Sequence, residues 1–111
     1  MSSKKLTNAE LRARIERLIK QWRPILGLET WHLEFKWDEK KHAASCESLA
    51  SYESAELHFN AKMIREEWPT YHLQRQLVVH ELVHCLIWKS SEREVVRITR
   101  SLLRAAGLKY E

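Results

Sequence analysis

The sequence is poor in residues that interrupt regular structure. It has two glycines and two prolines among 111 residues, and it has no internal repeat or low-complexity segment. Helices and strands should therefore account for most of the chain. Hydrophobic residues make up 44% of the composition and include five tryptophans, which excludes a disordered chain. These features predict one globular domain over residues 1–111, with a single modest core.

Long hydrophobic runs are also missing. No apolar stretch reaches membrane-spanning length, and the N-terminal residues 1–5 lack the apolar centre of a secretory signal. We therefore expect a cytoplasmic protein without membrane contact. Cysteine is scarce: Cys46 and Cys85 are distant in sequence and form no C-x-x-C pair. In a reducing compartment both should be free thiols, with Cys85 as a small core residue.

The charge balance is mildly basic, with a formal net charge of +4. This balance permits contact with nucleic acid but does not demand it. The basic residues concentrate near the two ends of the chain, at Lys4, Lys5, Arg12, Arg14, Arg17, Arg93, Arg97, Arg100 and Arg104. Solvated helix faces are the simpler explanation, and a nucleic-acid patch is the alternative.

The first half of the chain predicts a helix followed by strands. Thr7 and Glu10 have the spacing of a capping box, and apolar residues then recur at helical intervals until a stop before Pro24. Apolar and polar residues alternate over 31–37 and again over 54–60, which is typical of strands with one buried face. Residues 43–52 predict a weaker strand, linked to the following one as a hairpin.

The second half predicts helices. A short helix is expected over 61–67, and a long, deeply buried one from Thr70 or Tyr71 to about Trp88. Ser91 and Glu94 have the spacing of a second capping box, which should open a last helix that ends at Gly107. Its inward residues should be Val95, Ile98, Leu102 and Leu103. The order predicts an α+β fold, in which a small antiparallel sheet of about three strands lies on the long helix.

The most informative segment lies within the long helix. Residues 80–84 have the form His-Glu-x-x-His, a pattern typical of the zinc site of metallopeptidases. Residues four apart lie on one face of a helix, so His80 and His84 can direct two imidazoles at one Zn²⁺ ion. Glu81 can then reach a water at that ion. The apolar neighbours, including Val79 and Leu82, indicate a buried helix rather than a surface with chance histidines.

A catalytic zinc site also needs a third protein ligand and an open position. Ile87 stands where an H-x-x-G-x-x-H extension would need glycine, so a third histidine from that motif is disfavoured. Glu92 is the favoured ligand, because Glu94 is expected to cap the Ser91 amide. Glu94 remains the alternative, because a tight helical hairpin would bring it more nearly opposite the histidines.

Two further expectations concern the substrate. A donor should stabilise the carbonyl oxygen during hydrolysis, and Tyr52, His58 and Tyr71 are candidates, although each is a common packing residue. His58 and Asn60 lie on the polar face of the third predicted strand. They would either flank an extended substrate near the metal or face solvent.

The motifs together resemble a known group of proteins. Leu28-x-x-Trp31, the segment 55–60 and the segment 78–84 resemble small metallopeptidases of phages and prophages. More distantly, they resemble SprT-like and ImmA/IrrE-like zinc peptidase domains. The resemblance covers residues 24–105, and only its His-Glu-x-x-His segment is specific. It implies a minimal zincin-like fold, with His80 and His84 as zinc ligands and Glu81 as catalytic acid and base.

The same resemblance bears on the third ligand and on the substrate. ImmA/IrrE-like domains use a Glu that opens a helix of the form E-x-x-A-N-x-F-A, and Glu92 matches its spacing. Val96 stands where that motif has Asn, and the gap after His84 is shorter. SprT-like proteins act on DNA-bound proteins, but residues 1–111 include no separate DNA-binding module, so such a substrate is not implied.

The expected function is therefore a zinc-dependent peptidase that acts on a peptide or protein. The alternative is a non-catalytic binding module on the same fold, with a structural zinc and a nucleic-acid or protein partner. The intact Glu81 favours the enzyme, because a degenerate peptidase would usually lose this residue.

Overall fold

The computed structural model describes residues 6–110, so Lys4 and Lys5 of the N-terminal basic group lie outside the described residues. The elements follow in the order α1 (Asn8–Trp22), β1 (His32–Trp37), β2 (Ala44–Leu49), a 3₁₀ turn (Ala50–Tyr52), β3 (Ser54–Phe59), α2 (Ala61–Glu67), α3 (Tyr71–Leu86) and α4 (Glu92–Ala105). The predicted α+β class is confirmed. Among the helices described, none is long and apolar enough to cross a bilayer.

Local sequence signals set the ends of the helices. The Thr7 hydroxyl accepts a hydrogen bond from the Glu10 amide at 3.1 Å, and the Glu10 carboxylate accepts one from the Thr7 amide at 3.0 Å. The predicted capping box of α1 is therefore confirmed. Helix α1 ends at Trp22, ahead of Pro24, and Gly27 takes the positive φ of 70° that the following turn requires.

The sheet is mixed rather than antiparallel throughout. Its order is β1-β3-β2, in which β2 pairs antiparallel with β3, as the predicted hairpin requires, whereas β1 pairs parallel with β3. The composition of β3 explains its central position, because its Ala55, Leu57 and Phe59 are all buried. This strand takes the central position, and the more polar β2 takes the edge.

Helix α3 is the centre of the fold. It packs against α1, α4 and β2, and its buried residues Val78, Val79, Leu82 and Val83 face several directions. Helix α4 is buried along one face only. Val95 and Leu103 lie on that face, whereas Ile98, which was expected to point inward, is 38% exposed. Ile98 lies on the flank of α4, about 100° of helical rotation from the centre of the buried face.

Candidate metal centre

The two motif histidines lie on one face of α3, as their spacing predicts. Their ring centroids are 4.8 Å apart, and the ring planes are inclined at 74°. The side chains of His80 and His84 are 18% and 25% exposed, whereas the adjacent Val79 and Leu82 are almost fully buried. The helix is therefore anchored in the core while both imidazoles reach a solvent-accessible surface.

Glu92 meets both imidazoles. Its Oε1 lies 2.6 Å from His80 Nε2, and its Oε2 lies 2.8 Å from His84 Nε2. The short link between the helices makes this possible. The chain turns after α3 through a hydrogen bond from the Ser90 amide to the Ile87 carbonyl, and Glu92 is the first residue of α4.

Glu94 has a different position, although it is only two residues further along α4. Its backbone amide donates to the Ser91 hydroxyl at 3.2 Å, so Ser91 caps the helix as predicted. The expected return bond, from the Ser91 amide to the Glu94 carboxylate, does not form, so the second capping box is only half present. Its side chain lines a separate groove on the outside of α4, together with Arg97 and Ile98. The geometry thus brings Glu92, and not Glu94, to the two histidines.

The three side chains suit Zn²⁺. Two imidazole nitrogens and one carboxylate form a donor set that catalytic zinc sites use, and their ligand atoms lie within 4.8 Å of one another. Donor atoms around a tetrahedral zinc are about 3.3 Å apart, given metal–ligand bonds of about 2.0 Å. The Glu92 oxygens lie closer to the imidazole nitrogens than this, so the carboxylate would have to move outward to admit the ion.

The same residues have unusual acid–base properties. Burial, and then the negative charge of Glu92, raise the pKa of Glu81 to about 8. Burial also lowers the pKa of His80, against the opposing effect of Glu92. A neutral imidazole is the form that binds a metal, and a nearby dication would favour the ionised form of Glu81.

Two grooves meet at the histidines. One has a volume of about 520 Å³ and is lined by His42, Ala44, Ser45, Cys46, His80, Glu81, His84 and Glu92. The other has a volume of about 410 Å³ and continues past His80 and Glu81 toward Met63, Trp68, Leu77, Val96 and Tyr110. Because the grooves share His80, Glu81 and Glu92, the candidate site lies where they join, with room on both sides.

The predicted carbonyl-stabilising residues lie elsewhere. Among the described residues that line the two grooves, Tyr52, His58 and Tyr71 do not occur. Tyr52 is 80% exposed in the 3₁₀ turn, and Tyr71 stacks near the guanidinium of Arg14. His42, which lines both grooves, was missed because no motif marks it: it lies in the polar turn before β2.

Both alternatives for His58 and Asn60, that they flank an extended substrate on an edge strand or that they face solvent, are wrong. Both residues are 8% exposed, and β3 is the central strand. Asn60 instead caps α2, accepting from the Met63 amide at 3.1 Å and donating to the Lys40 carbonyl at 2.8 Å. The edge strand beside the histidines is β2.

His58 belongs to an ion-pair network on the outer face of the sheet. Its Nδ1 lies 3.0 Å from Asp38, and its Nε2 lies 3.2 Å from Glu56. Glu47, Glu56 and His58 also place ligand atoms within 4.8 Å of one another. However, Lys36 lies 3.2 Å from the other Glu56 oxygen and already supplies a positive charge there. We therefore assign this cluster to a network of polar and charged side chains on the outer face of the sheet, in which His58 is buried.

The two cysteines are free thiols, but they are not separate. Their sulfur atoms lie 2.7 Å apart, with Cys46 half-buried on β2 and Cys85 fully buried on α3. The contact with Cys46, together with burial, raises the pKa of the Cys85 thiol. Cys85 is thus a core residue, as expected, but its contact with a residue 39 positions away was not predicted.

Some of the basic residues have local partners. Arg12 pairs with Glu16 at 2.8 Å and lies over the ring of Phe35, and Arg14 hydrogen-bonds to Gln74.

Comparison of the chain with protein-family models, with curated proteins and with solved structures found no match. The functional argument therefore depends on the residues and their geometry.

Proposed function

We propose that this chain is a zinc-dependent peptidase that hydrolyses peptide bonds. The observation that carries the proposal is the position of Glu92, whose two carboxylate oxygens reach both motif histidines while Glu81 lies buried beside them. His80, His84 and Glu92 would hold the ion. When bound, zinc supplies Lewis acidity, which acidifies a water and polarises the carbonyl of the scissile bond.

Glu81 would act as general base and then as general acid. Glu81 directly follows His80 on α3 and lines both grooves. It therefore adjoins the junction of the grooves, which a scissile bond would occupy. Its desolvated position raises its affinity for a proton, which it would accept from the attacking water and pass to the leaving amine. Because His42 lines both grooves, it would donate a hydrogen bond to the carbonyl oxygen.

The substrate would be an extended peptide. Strand β2 is an edge strand of the sheet, and its residues Ala44, Ser45 and Cys46 form one wall of a groove. An edge strand can hold a peptide backbone through main-chain hydrogen bonds, without demanding particular side chains. The second groove adds an apolar wall that includes Trp68 and Leu77, which would accept a hydrophobic side chain.

Peptide hydrolysis by the zinc-loaded chain tests the proposal. Wild type should cleave members of a fluorescence-quenched peptide library, lose activity with a chelator and regain it with zinc. Glu81→Gln should lower turnover by about 10² to 10⁴, the usual contribution of a general base, with zinc content unchanged. Glu94→Gln is the matched control on the far side of α4 and should retain full activity.

Two results would contradict the proposal. Equal cleavage by wild type and Glu81→Gln would exclude Glu81 as the general base. Stoichiometric zinc without cleavage of any peptide would favour the alternative, a binding module with a structural zinc, and salt-dependent retention on DNA would then test for a nucleic-acid partner.

A further inference from the structure

The contact between Cys46 and Cys85 joins two elements that the chain itself does not connect directly. Cys46 lies on the inner face of β2, and Cys85 lies in the last turn of α3, with 2.7 Å between their sulfur atoms. A second contact holds the same strand to the same turn, because the Ser48 hydroxyl donates to the Cys85 carbonyl at 3.2 Å. The relative position of the two thiols is therefore set by the fold around them.

A disulfide bond requires two sulfur atoms about 2.0 Å apart on backbones that already face each other. The sulfur atoms of Cys46 and Cys85 are about 0.7 Å beyond that bonding distance, on two elements that the Ser48 hydrogen bond already holds together. We propose that Cys46 and Cys85 form a reversible disulfide that fastens β2 to α3. This inference does not depend on the peptidase proposal, because the bond and its effects can be measured without a substrate.

Access to the pair is one-sided. Cys46 is half-buried and lines the 520 Å³ groove, whereas Cys85 has no solvent exposure. A small hydroperoxide can therefore reach Cys46 from the groove. With hydrogen peroxide, the Cys46 thiolate attacks one oxygen, the O–O bond breaks and Cys46 becomes a sulfenic acid. The released hydroxide takes up the proton that the thiol lost and leaves as water.

The second step closes the bond. The Cys85 sulfur attacks the Cys46 sulfur, the S–O bond breaks, and the Cys85 proton leaves with the hydroxyl group as a second water. In total, two thiols lose two electrons and two protons, and one hydrogen peroxide molecule becomes two waters. A dithiol reductant reverses the change by thiol–disulfide exchange.

The bond would affect the edge strand most. Strand β2 is paired on one side with β3, and it borders the groove at whose floor His80 and His84 lie. Because Cys85 directly follows His84, the disulfide would fix the distance between this groove wall and the turn that carries a proposed zinc ligand. The amides of β2 should therefore exchange with solvent more slowly in the oxidised form.

Stability should rise as well. The bond would join two residues 39 positions apart and so close a long loop, which restricts the unfolded chain more than the folded one. For a domain of this size we expect the midpoint of thermal unfolding to rise by on the order of 10 °C, reversibly with reductant.

The test begins with the full reduced chain and hydrogen peroxide, followed by denaturation, maleimide labelling and intact-mass measurement. We expect two labels before treatment, none after it, a loss of two hydrogens, and a monomer on a non-reducing gel. Two reactive thiols after treatment would overturn the proposal. So would oxygen adducts on Cys46 without loss of the second thiol, or cross-linking only between chains.

Three variants serve as controls. Cys46→Ser and, separately, Cys85→Ala should abolish the rise in the thermal midpoint. Moving the thiol by one residue, with Ser45→Cys in a Cys46→Ser background, places it on the opposite face of the same strand. That variant should form no internal bond, and if it is stabilised by peroxide as wild type is, the pairing is refuted. Cys46→Ser changes only a half-buried position, so the test does not depend on tolerance of a change at Cys85.

Discussion

Replacing Glu92 by alanine should empty the proposed zinc site without unfolding the protein. Glu92 is the only residue from α4 in the cluster that the described residues form with His80 and His84. Its side chain is 66% exposed, so its hydrogen bonds to the imidazoles contribute less than about 1 kcal/mol to the stability of the metal-free fold. Glu94→Ala is the matched control, because it removes a carboxylate two residues away that faces a different groove.

The effect on zinc should be large. Loss of a residue that merely orients a zinc ligand costs about 10- to 100-fold in affinity, so loss of a direct ligand should exceed about 100-fold. The metal-free protein should respond as well. Glu92 raises the pKa of both His80 and Glu81, so both pKa values should fall in Glu92→Ala.

Competition with a chromogenic chelator measures the zinc affinity, and NMR titration of the imidazole protons measures the His80 pKa. Circular dichroism melts would show whether the fold is retained. The reasoning is refuted if Glu92→Ala binds zinc within about threefold of wild type. A selective loss of zinc in Glu94→Ala would instead assign the third ligand to Glu94. Full zinc binding in both variants would mean that neither carboxylate binds the ion.

Two further predictions concern stability. In the folded protein the pKa of Glu81 is about 8, above its ordinary value of 4.5. Between these pH values, unfolding of the metal-free protein therefore releases a proton. The free energy of unfolding should fall as pH rises through this window, by at most about 1.4 kcal/mol per pH unit. Urea denaturation of wild type and Glu81→Gln at several pH values tests this prediction. An equal slope of unfolding free energy against pH in the two proteins would contradict it. Asn60→Ala removes the α2 cap and the bond to the Lys40 carbonyl, which should cost about 2 kcal/mol in the same assay, and a loss under about 0.5 kcal/mol would count against that role.

The sequence predicted most of what depends on neighbouring residues. Helix α2 has the expected bounds, and Thr7 and Ser91 are the N-caps that the spacing indicated, although only the capping box at Thr7 is complete. The proximity of His80 and His84 follows from helical geometry alone. The preference for Glu92 over Glu94 had the same local origin, because a residue at the third position of a helix has a capping role that a residue at the first position lacks.

What the sequence did not predict depends on contacts between distant segments. Strand β1 pairs with β3 because β3, and not β2, takes the central position of the sheet. The alternation of apolar and polar residues within one strand does not show which of two strands will be more buried. The contact of Cys46 with Cys85, and the position of His42 in the same groove as Glu81, result from the placement of β2 and its preceding turn against α3. No periodicity or motif encodes that placement.

The short link between α3 and α4 has a consequence for how the protein would respond to zinc supply. Eight positions separate His84 from Glu92, and the chain between them is already turned and capped. Closing so small a ring costs little entropy, so metal binding has little folding to drive, unlike in zinc fingers, which are unfolded without their metal. The fold would persist in a zinc-starved cell, and the fraction of working molecules would track zinc availability from moment to moment, without synthesis or refolding of new chains.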